Sequence, residues 1–203
     1  MIAHESPSPE PKLEAPGAGL PFPDRFIVRY LVGPFLSKLT PPEKSRGYYE
    51  GVTQTLIHLV EGVPVHLKDR KVLVSKMPGL EDSSRYWSIN RVVEHLLIVG
   101  KSIEGVILSL SAGKVPDGKA DVAKVKPTNL ISDPFSELKA FAPELMKRID
   151  EALSEPGMNL YSKSKFTHPW FGGMTPKQWY WLLSRHQGIH YRQAKEIVQR
   201  LNH

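Results

Sequence analysis

Residues 179–193 read WYWLLSRHQGIHYRQ, with apolar side chains at steps of three and four and two histidines four residues apart. In an α-helix, positions i and i+4 project from the same face, so His186 and His190 share one face. The apolar stripe extends from Trp179 to Leu201, which predicts one long helix with both imidazoles directed inward. Two imidazoles at this spacing can hold one metal ion. An HxxxH pair alone is a weak signal, because such histidines are also often partly exposed or hydrogen-bonded to neighbours.

Helix start signals occur at four places in the chain. Three are a capping residue followed by proline: Thr40 with Pro41, Asp133 with Pro134, and Thr175 with Pro176; the fourth is Ser88, a cap without proline. We expect helices over about 40–61, 88–112, 133–154 and 175–201. The first and the last begin with capping boxes completed by Glu43 and Gln178. Pro143 lies inside the third helix and should kink or split it.

The apolar pattern predicts which side of each helix faces the core. The inner face of the first helix is expected at Val52, Thr55, Leu56, Leu59 and Val63. Four amphipathic helices joined by loops predict an all-α fold, an up-and-down four-helix bundle. The loops are expected at 64–84, with a short strand near Val72–Val74, at 114–126, and from about 157 to Met174.

The N-terminal region is rich in proline, glutamate and glycine and carries few large apolar residues. We expect residues 1–23 to be disordered or extended on the surface, and residues 24–203 to form a single helical domain. The apolar segment 26–32 predicts a brief helix that Gly33-Pro34 ends or kinks.

Composition excludes several function classes. The 203-residue chain has no cysteine, which rules out disulfides, a thiolate nucleophile and cysteine-bound metal, and is compatible with a cytoplasmic location. It shows no secretory signal and no apolar run long enough to span a membrane. The net charge of +6 comes from scattered basic residues without a nucleic-acid motif, so only weak, salt-dependent nucleic-acid binding is expected.

A third histidine, His95, lies on the inner stripe of the second predicted helix. A buried imidazole whose nitrogens lack partners costs about 1–3 kcal/mol. A divalent metal removes this cost, because neutral imidazole is a good ligand for Zn, Ni or Fe. Hydrogen bonds to neighbours remain the alternative. The sequence therefore permits a metal site at His95, His186 and His190 and also permits three satisfied core histidines.

Other residues near these histidines carry open alternatives. Gln193, one turn beyond His190, is a candidate hydrogen-bond partner for that imidazole. Gly188 indicates either a close approach by a neighbouring helix or substrate, or a tolerated defect on the outer face. Glu94 is expected to face outward, since one residue turns about 100° from His95. His168 could reach a pocket mouth or cap a turn.

Tryptophans at 87, 170, 179 and 181 also admit two interpretations. Aromatic side chains at helical spacing usually belong to the core, and the alternative is that they line a pocket.

Two stretches carry a family resemblance. Residues 87–95, WSINRVVEH, resemble a helix opening of the DinB/YfiT-like metalloenzyme family, and residues 168–179, HPWFGGMTPKQW, followed by His186 and His190, resemble its last-helix region. The resemblance implies a four-helix bundle with a divalent metal bound by His95, His186 and His190. Members of the family with known activity are thiol-dependent transferases, an isomerase of the same class and hydrolase-like proteins.

The resemblance also implies the kind of partner. We expect a metal-dependent hydrolase or thiol-dependent transferase acting on a small-molecule substrate, with any thiol supplied by a low-molecular-weight cosubstrate. Relatives often pair through helix faces, which makes a homodimer an expectation. A non-catalytic bundle that binds a ligand in the same pocket, or serves a structural role, is the alternative. The sequence assigns no catalytic residue and no organic cofactor.

Overall fold

The structure, a computed structural model, describes residues 10–15 and 33–202, with side chains from residue 36 onward in the second range. It is mostly helical, as the sequence predicted. The helices are α1 Gly33–Leu39, α2 Pro42–Glu61, α3 Ile89–Ser111, α4 Pro134–Leu153 and α5 Pro176–Leu201. The strands are β1 Val72–Leu73, β2 Tyr86–Trp87, β3 Phe166–His168 and β4 Gly172–Met174, paired antiparallel as β1–β2 and β3–β4. Single 3₁₀ turns lie at Val65–Leu67 and Asp82–Ser84.

The long helices pack through faces that their sequences mark as apolar. Helix α5 packs against α2 and α3, α3 packs against α4, and α1 covers part of α5. The core includes Leu97 and Ile107 of α3, Ile149 of α4 and Ile197 of α5, all without exposed surface. Each such side chain contributes about 1.5–3 kcal/mol through burial. Among the described residues, no helix is both long enough and apolar enough to cross a lipid bilayer.

Three of the predicted helix starts are confirmed by their hydrogen bonds. The Ser88 side chain accepts from the Arg91 N–H, and the Asp133 carboxylate accepts from the Ser136 N–H. Thr175 and Gln178 form the predicted capping box, in which the Thr175 N–H donates to the Gln178 side chain at 2.9 Å. These caps satisfy N–H groups that have no partner within the helix.

The fourth start differs by one residue. Pro41 occupies the N-cap of α2 without a side-chain hydrogen bond. The Thr40 hydroxyl instead donates to the Leu36 carbonyl at 2.7 Å, at the end of α1. Gly33 and Pro34 lie in the first turn of α1, in agreement with the preference of proline for that position. The predicted helix at 26–32 lies outside the described residues.

The predicted inner face of α2 is confirmed at Leu56 and at Val63, just beyond the helix, and was wrong at Thr55. The buried residues of this helix are Ser45, Tyr49, Thr53, Leu56, Ile57 and Val60. Thr55 is exposed, and Val52 and Leu59 are only partly buried. One residue of this face makes a polar contact between helices: the Thr53 hydroxyl accepts from the Gln187 side chain of α5 at 3.0 Å. A pattern of apolar residues cannot reveal such an inward polar pair.

Three further segments can be compared with expectation. Helix α4 runs through Pro143 without a break, so of the two predicted outcomes the split was wrong and the kink stays a prediction. The loop before Met174 contains the β3–β4 hairpin, which the sequence did not indicate. The short strand expected near residue 72 is confirmed as β1, which pairs Val72 with Trp87. Of the predicted tail, only residues 10–15 are described; they have no regular structure, and the Glu14 N–H donates to the Asp82 carboxylate.

Candidate metal site

Three histidines from two helices meet inside the fold. His95 of α3 and His186 and His190 of α5 each offer a ring nitrogen, and these three atoms lie within 4.8 Å of one another. The Nε2 atoms of His95 and His186 are 3.2 Å apart. A tetrahedral zinc ion with bonds near 2.05 Å would place two ligand nitrogens about 3.3 Å apart. The cluster could therefore hold a metal ion.

The outer nitrogens of two of these rings are already engaged. The Nδ1 of His95 lies 2.7 Å from the Val125 carbonyl, and the Nδ1 of His190 lies 2.7 Å from the Oε1 of Gln193. A carbonyl oxygen can only accept, so both Nδ1 atoms carry the proton and both Nε2 atoms keep a lone pair. This pairing also fixes the orientation of each ring, as outer hydrogen bonds do at metal-binding histidines.

Gln193 links His190 to the loop before α3. Its side chain is fully buried, and its Nε2 donates to the Ser84 carbonyl at 2.7 Å. Because the amide nitrogen is committed to Ser84, the amide oxygen is directed to His190. The predicted role of Gln193 as a partner of His190 agrees with this contact.

Burial keeps the three imidazoles neutral. It lowers the pKa of His95 and of His186 well below the usual 6.5, and the neighbouring His190 lowers both further. Burial also lowers the pKa of His190 to about 4, although its bond to Gln193 acts in the opposite direction. Metal binding requires unprotonated nitrogen, so the site is in the ligand form at neutral pH.

A buried ion pair lies beside the cluster. The Lys126 ammonium donates to the Glu81 carboxylate and to the hydroxyls of Ser83 and Ser84, at 2.8 and 2.7 Å for the hydroxyls. It also lies 5.3 Å from the ring of Trp87. Its positive charge contributes to the lowered pKa of His95 and His190.

Trp87 packs against two of the histidines. Its ring stacks on His190 at 6.0 Å and meets His95 edge-on at 5.1 Å. The ring is almost fully buried. Trp87 therefore restricts both imidazoles from the side that faces the core.

Glu94 does not face outward, and that prediction was wrong. Its carboxylate is 2% exposed and accepts from the Thr128 N–H and hydroxyl and from the Asn129 N–H, at 2.8–3.0 Å. These bonds hold the loop that supplies Val125, the partner of His95. The sequence carries no signal for Val125 or Lys126, because a backbone carbonyl has no side-chain signature and the lysine is one of several in a basic loop.

Gly188 marks a close approach between helices. A Cβ added at this position would lie 2.3 Å from the hydroxyl of Tyr48 on α2. Of the two interpretations, the close approach by a neighbouring helix is the one found, and the residue is buried rather than on an outer face.

The histidines line a cavity of about 730 Å³. Trp170, Trp179 and Trp181 belong to its wall, so both interpretations of these aromatics apply: Trp179 and Trp181 are buried and also line a pocket. His168, at the end of β3, lines the cavity as well, and its Nδ1 accepts the backbone N–H of Trp170 at 3.1 Å. It therefore caps a turn and reaches the pocket, and burial lowers its pKa to about 4.

Comparison with known proteins adds no assignment. No family model, no curated protein and no solved structure matches this chain. The DinB/YfiT-like resemblance therefore stays a prediction carried by the two motifs, and the case for function rests on the geometry of the site.

Proposed function

We propose that this protein is a metal-dependent enzyme whose divalent ion is bound by His95, His186 and His190. The observation that carries the proposal is the convergence of three neutral imidazoles, two of which have their outer nitrogens hydrogen-bonded. The donor set suits Zn, Ni or Fe. Three protein ligands leave coordination positions open, which is typical of catalytic rather than structural sites.

We further propose that the four long helices form an up-and-down bundle of the DinB/YfiT type. The order of the ligands along the chain, one from the second long helix and two from the last, supports this assignment. A cytoplasmic location and a homodimer are part of the same proposal, and the absence of cysteine from the chain is compatible with the former.

The reaction type is either hydrolysis or transfer to a low-molecular-weight thiol. A bound divalent ion supplies Lewis acidity, which lowers the pKa of a coordinated water or thiol and polarises a carbonyl oxygen. The protein positions the ligands through Val125, Gln193 and Trp87. His168 has its Nδ1 occupied as an acceptor, so its Nε2–H is a donor for a substrate in the cavity.

A non-catalytic, ligand-binding bundle is the second candidate. This candidate is favoured by the hydrogen bonding of the two carboxylates in the cavity lining, Glu81 and Asp121. Glu81 is bonded to Lys126, and the exposed Asp121 accepts from the Ala123 N–H. Both carboxylates are thus engaged in hydrogen bonds within the protein, which favours ligand binding over general-base catalysis.

Metal content separates these candidates at the first step. We expect elemental analysis of the purified protein to find close to one divalent ion per chain. The His186→Ala variant should lose it, whereas His58→Ala, which removes an exposed histidine of α2, should retain it. Absence of metal from the wild-type protein even after incubation with Zn²⁺, Ni²⁺ and Fe²⁺ would contradict the proposal.

Cobalt substitution then addresses the reaction type. In the Co²⁺-loaded protein, a thiol that reaches the ion produces a sulfur-to-cobalt charge-transfer band in the near ultraviolet. Addition of glutathione or cysteine should produce this band if the protein is a thiol-dependent transferase. A hydrolase would show only the change in the visible bands that accompanies ionisation of bound water.

A further inference from the structure

The cavity beside the three histidines has a predominantly apolar wall. The aromatic wall, as we call it, consists of Phe166, Trp170, Phe171, Trp179 and Trp181. Val99, Ile103 and Val106 of α3 add aliphatic surface. A volume of about 730 Å³ is within the range that encloses one small organic molecule. The body of a molecule bound here would be apolar and large enough to hold one or two aromatic rings.

One partly buried cation in the lining lacks an acidic partner among the described residues. The guanidinium of Arg185 lies 4.7 Å from the ring centre of Tyr48 and 5.9 Å from that of Trp181, and all three residues line the cavity. Among the residues that the structure describes, no carboxylate lies within ion-pair distance of it. Cation–π contacts with aromatic rings hold a guanidinium in place and leave its N–H groups available for a planar anion.

Other cations of the lining are committed or lie at its outer edge. Lys126 is bonded to Glu81, and Arg192 donates to the Pro78 carbonyl at 3.1 Å. Lys119 and Lys124 are exposed in the loop before α4. Arg185 is partly buried and directly precedes His186, which places its backbone beside the candidate metal site.

We propose that the cavity binds a small molecule with an apolar, aromatic-sized body and one anionic group, and that Arg185 pairs with this group. The inference rests on the proposed function, because such a molecule would be the substrate on which the metal site acts. The aromatic wall covers the body of the molecule, and the guanidinium selects for its charge. Neutral molecules of the same shape lose the ion pair and bind more weakly.

A matched pair of fluorescent probes tests this selectivity. The probe 8-anilinonaphthalene-1-sulfonate carries one anionic group, and N-phenyl-1-naphthylamine has the same ring system without it. Both should bind to the full chain and be excited by energy transfer from the tryptophans that line the cavity. Arg185→Gln should lower the affinity for the sulfonate probe by about tenfold, which is the lower end of the contribution of a charge-assisted hydrogen bond. The neutral probe should change by less than about twofold.

Lys195→Gln is the matched control. It removes the same unit charge from an exposed position on α5 that does not line the cavity. It should leave both affinities unchanged. Near-ultraviolet circular dichroism should match the wild type in each variant, so that probe binding to a loosened core is recognised.

A competition on the wild-type protein keeps the proposal testable if Arg185→Gln does not fold. After removal of metal with a chelator, 2-naphthoate should displace the neutral probe at about tenfold lower concentration than 2-naphthamide. Equal displacement by 2-naphthoate and 2-naphthamide would overturn the proposal. An equal loss of affinity for the sulfonate probe in Arg185→Gln and Lys195→Gln would also overturn it. The competition is run on metal-free protein, so its result does not depend on whether the protein binds metal. A protein that binds no metal contradicts only the proposed function, and equal binding of anionic and neutral compounds contradicts only this inference.

Discussion

Substitution of Glu94 by glutamine should weaken both the fold and the metal site. The carboxylate accepts three hydrogen bonds, two from Thr128 and one from Asn129. In Glu94→Gln, the amide oxygen can keep the pair from Thr128. The amide nitrogen then faces the Asn129 N–H, and two donors oppose each other.

The size of the effect follows from those bonds. The variant loses one charge-assisted hydrogen bond, and its two remaining hydrogen bonds lose the negative charge of their acceptor. Together these changes lower the free energy of unfolding by about 2 kcal/mol. For a chain of this length, that corresponds to a fall in Tm of roughly 4–8 °C. The loop also carries Val125, whose carbonyl orients His95. Loss of such an outer contact lowers metal affinity about tenfold or more.

Two measurements on the same variant separate these effects. Urea unfolding followed by circular dichroism gives the stability of the metal-free protein, and calorimetric titration with Zn²⁺ gives the affinity. Glu137→Gln is the control, because Glu137 is half-exposed and its ion pair with Lys101 is long, at 3.8 Å. An unchanged Zn²⁺ affinity in a destabilised Glu94→Gln variant would refute the link from the loop to His95. Unchanged stability would refute the anchoring role itself.

Two further predictions concern residues next to the histidines. Gln193→Leu removes the hydrogen-bond acceptor of His190 and leaves the Ser84 carbonyl without the donor it has in the wild type. We expect the Zn²⁺ affinity, measured by the same titration, to fall by about 10- to 100-fold. The free energy of unfolding, measured with urea, should fall by about 1–3 kcal/mol. An unchanged affinity would show that the contact is not needed for ligation. The depressed pKa of His168, about 4 against 6.5, means that the folded state binds fewer protons than the unfolded state between these values. Stability should therefore fall by roughly 2 kcal/mol as pH decreases from about 6.5 to 4, allowing for the partly exposed ring, and His168→Gln should flatten this part of the pH profile. A parallel profile in the variant would exclude His168 as the source.

Helix positions followed from local signals in the sequence. The Thr175 capping box and the stripe that ends at Leu201 define α5, and Ser88 defines the start of α3. Such capping contacts join residues within one helical turn, so they form in the folded protein whatever segments pack around the helix. The fixed geometry of a helix also places His186 and His190 on one face.

The parts that could not be predicted depend on contacts between distant segments. The burial of Glu94 depends on Thr128 and Asn129, 34 and 35 residues away. The inward position of Thr53 on α2 accompanies its pairing with Gln187 across 134 residues. Neither contact changes the local pattern of apolar residues. The three clustered histidines were visible in the sequence because histidine is distinctive. The groups that orient them were not visible, apart from Gln193.

An anomalous difference map shows whether one metal ion lies between the three histidines. Crystals of the protein grown with a divalent metal and measured at the absorption edge of that metal should show a single strong peak. That peak is expected about 2.0–2.2 Å from the Nε2 atoms of His95, His186 and His190. No peak between the three rings, or a peak bound by only one of them, would contradict the claim that these histidines form one metal site.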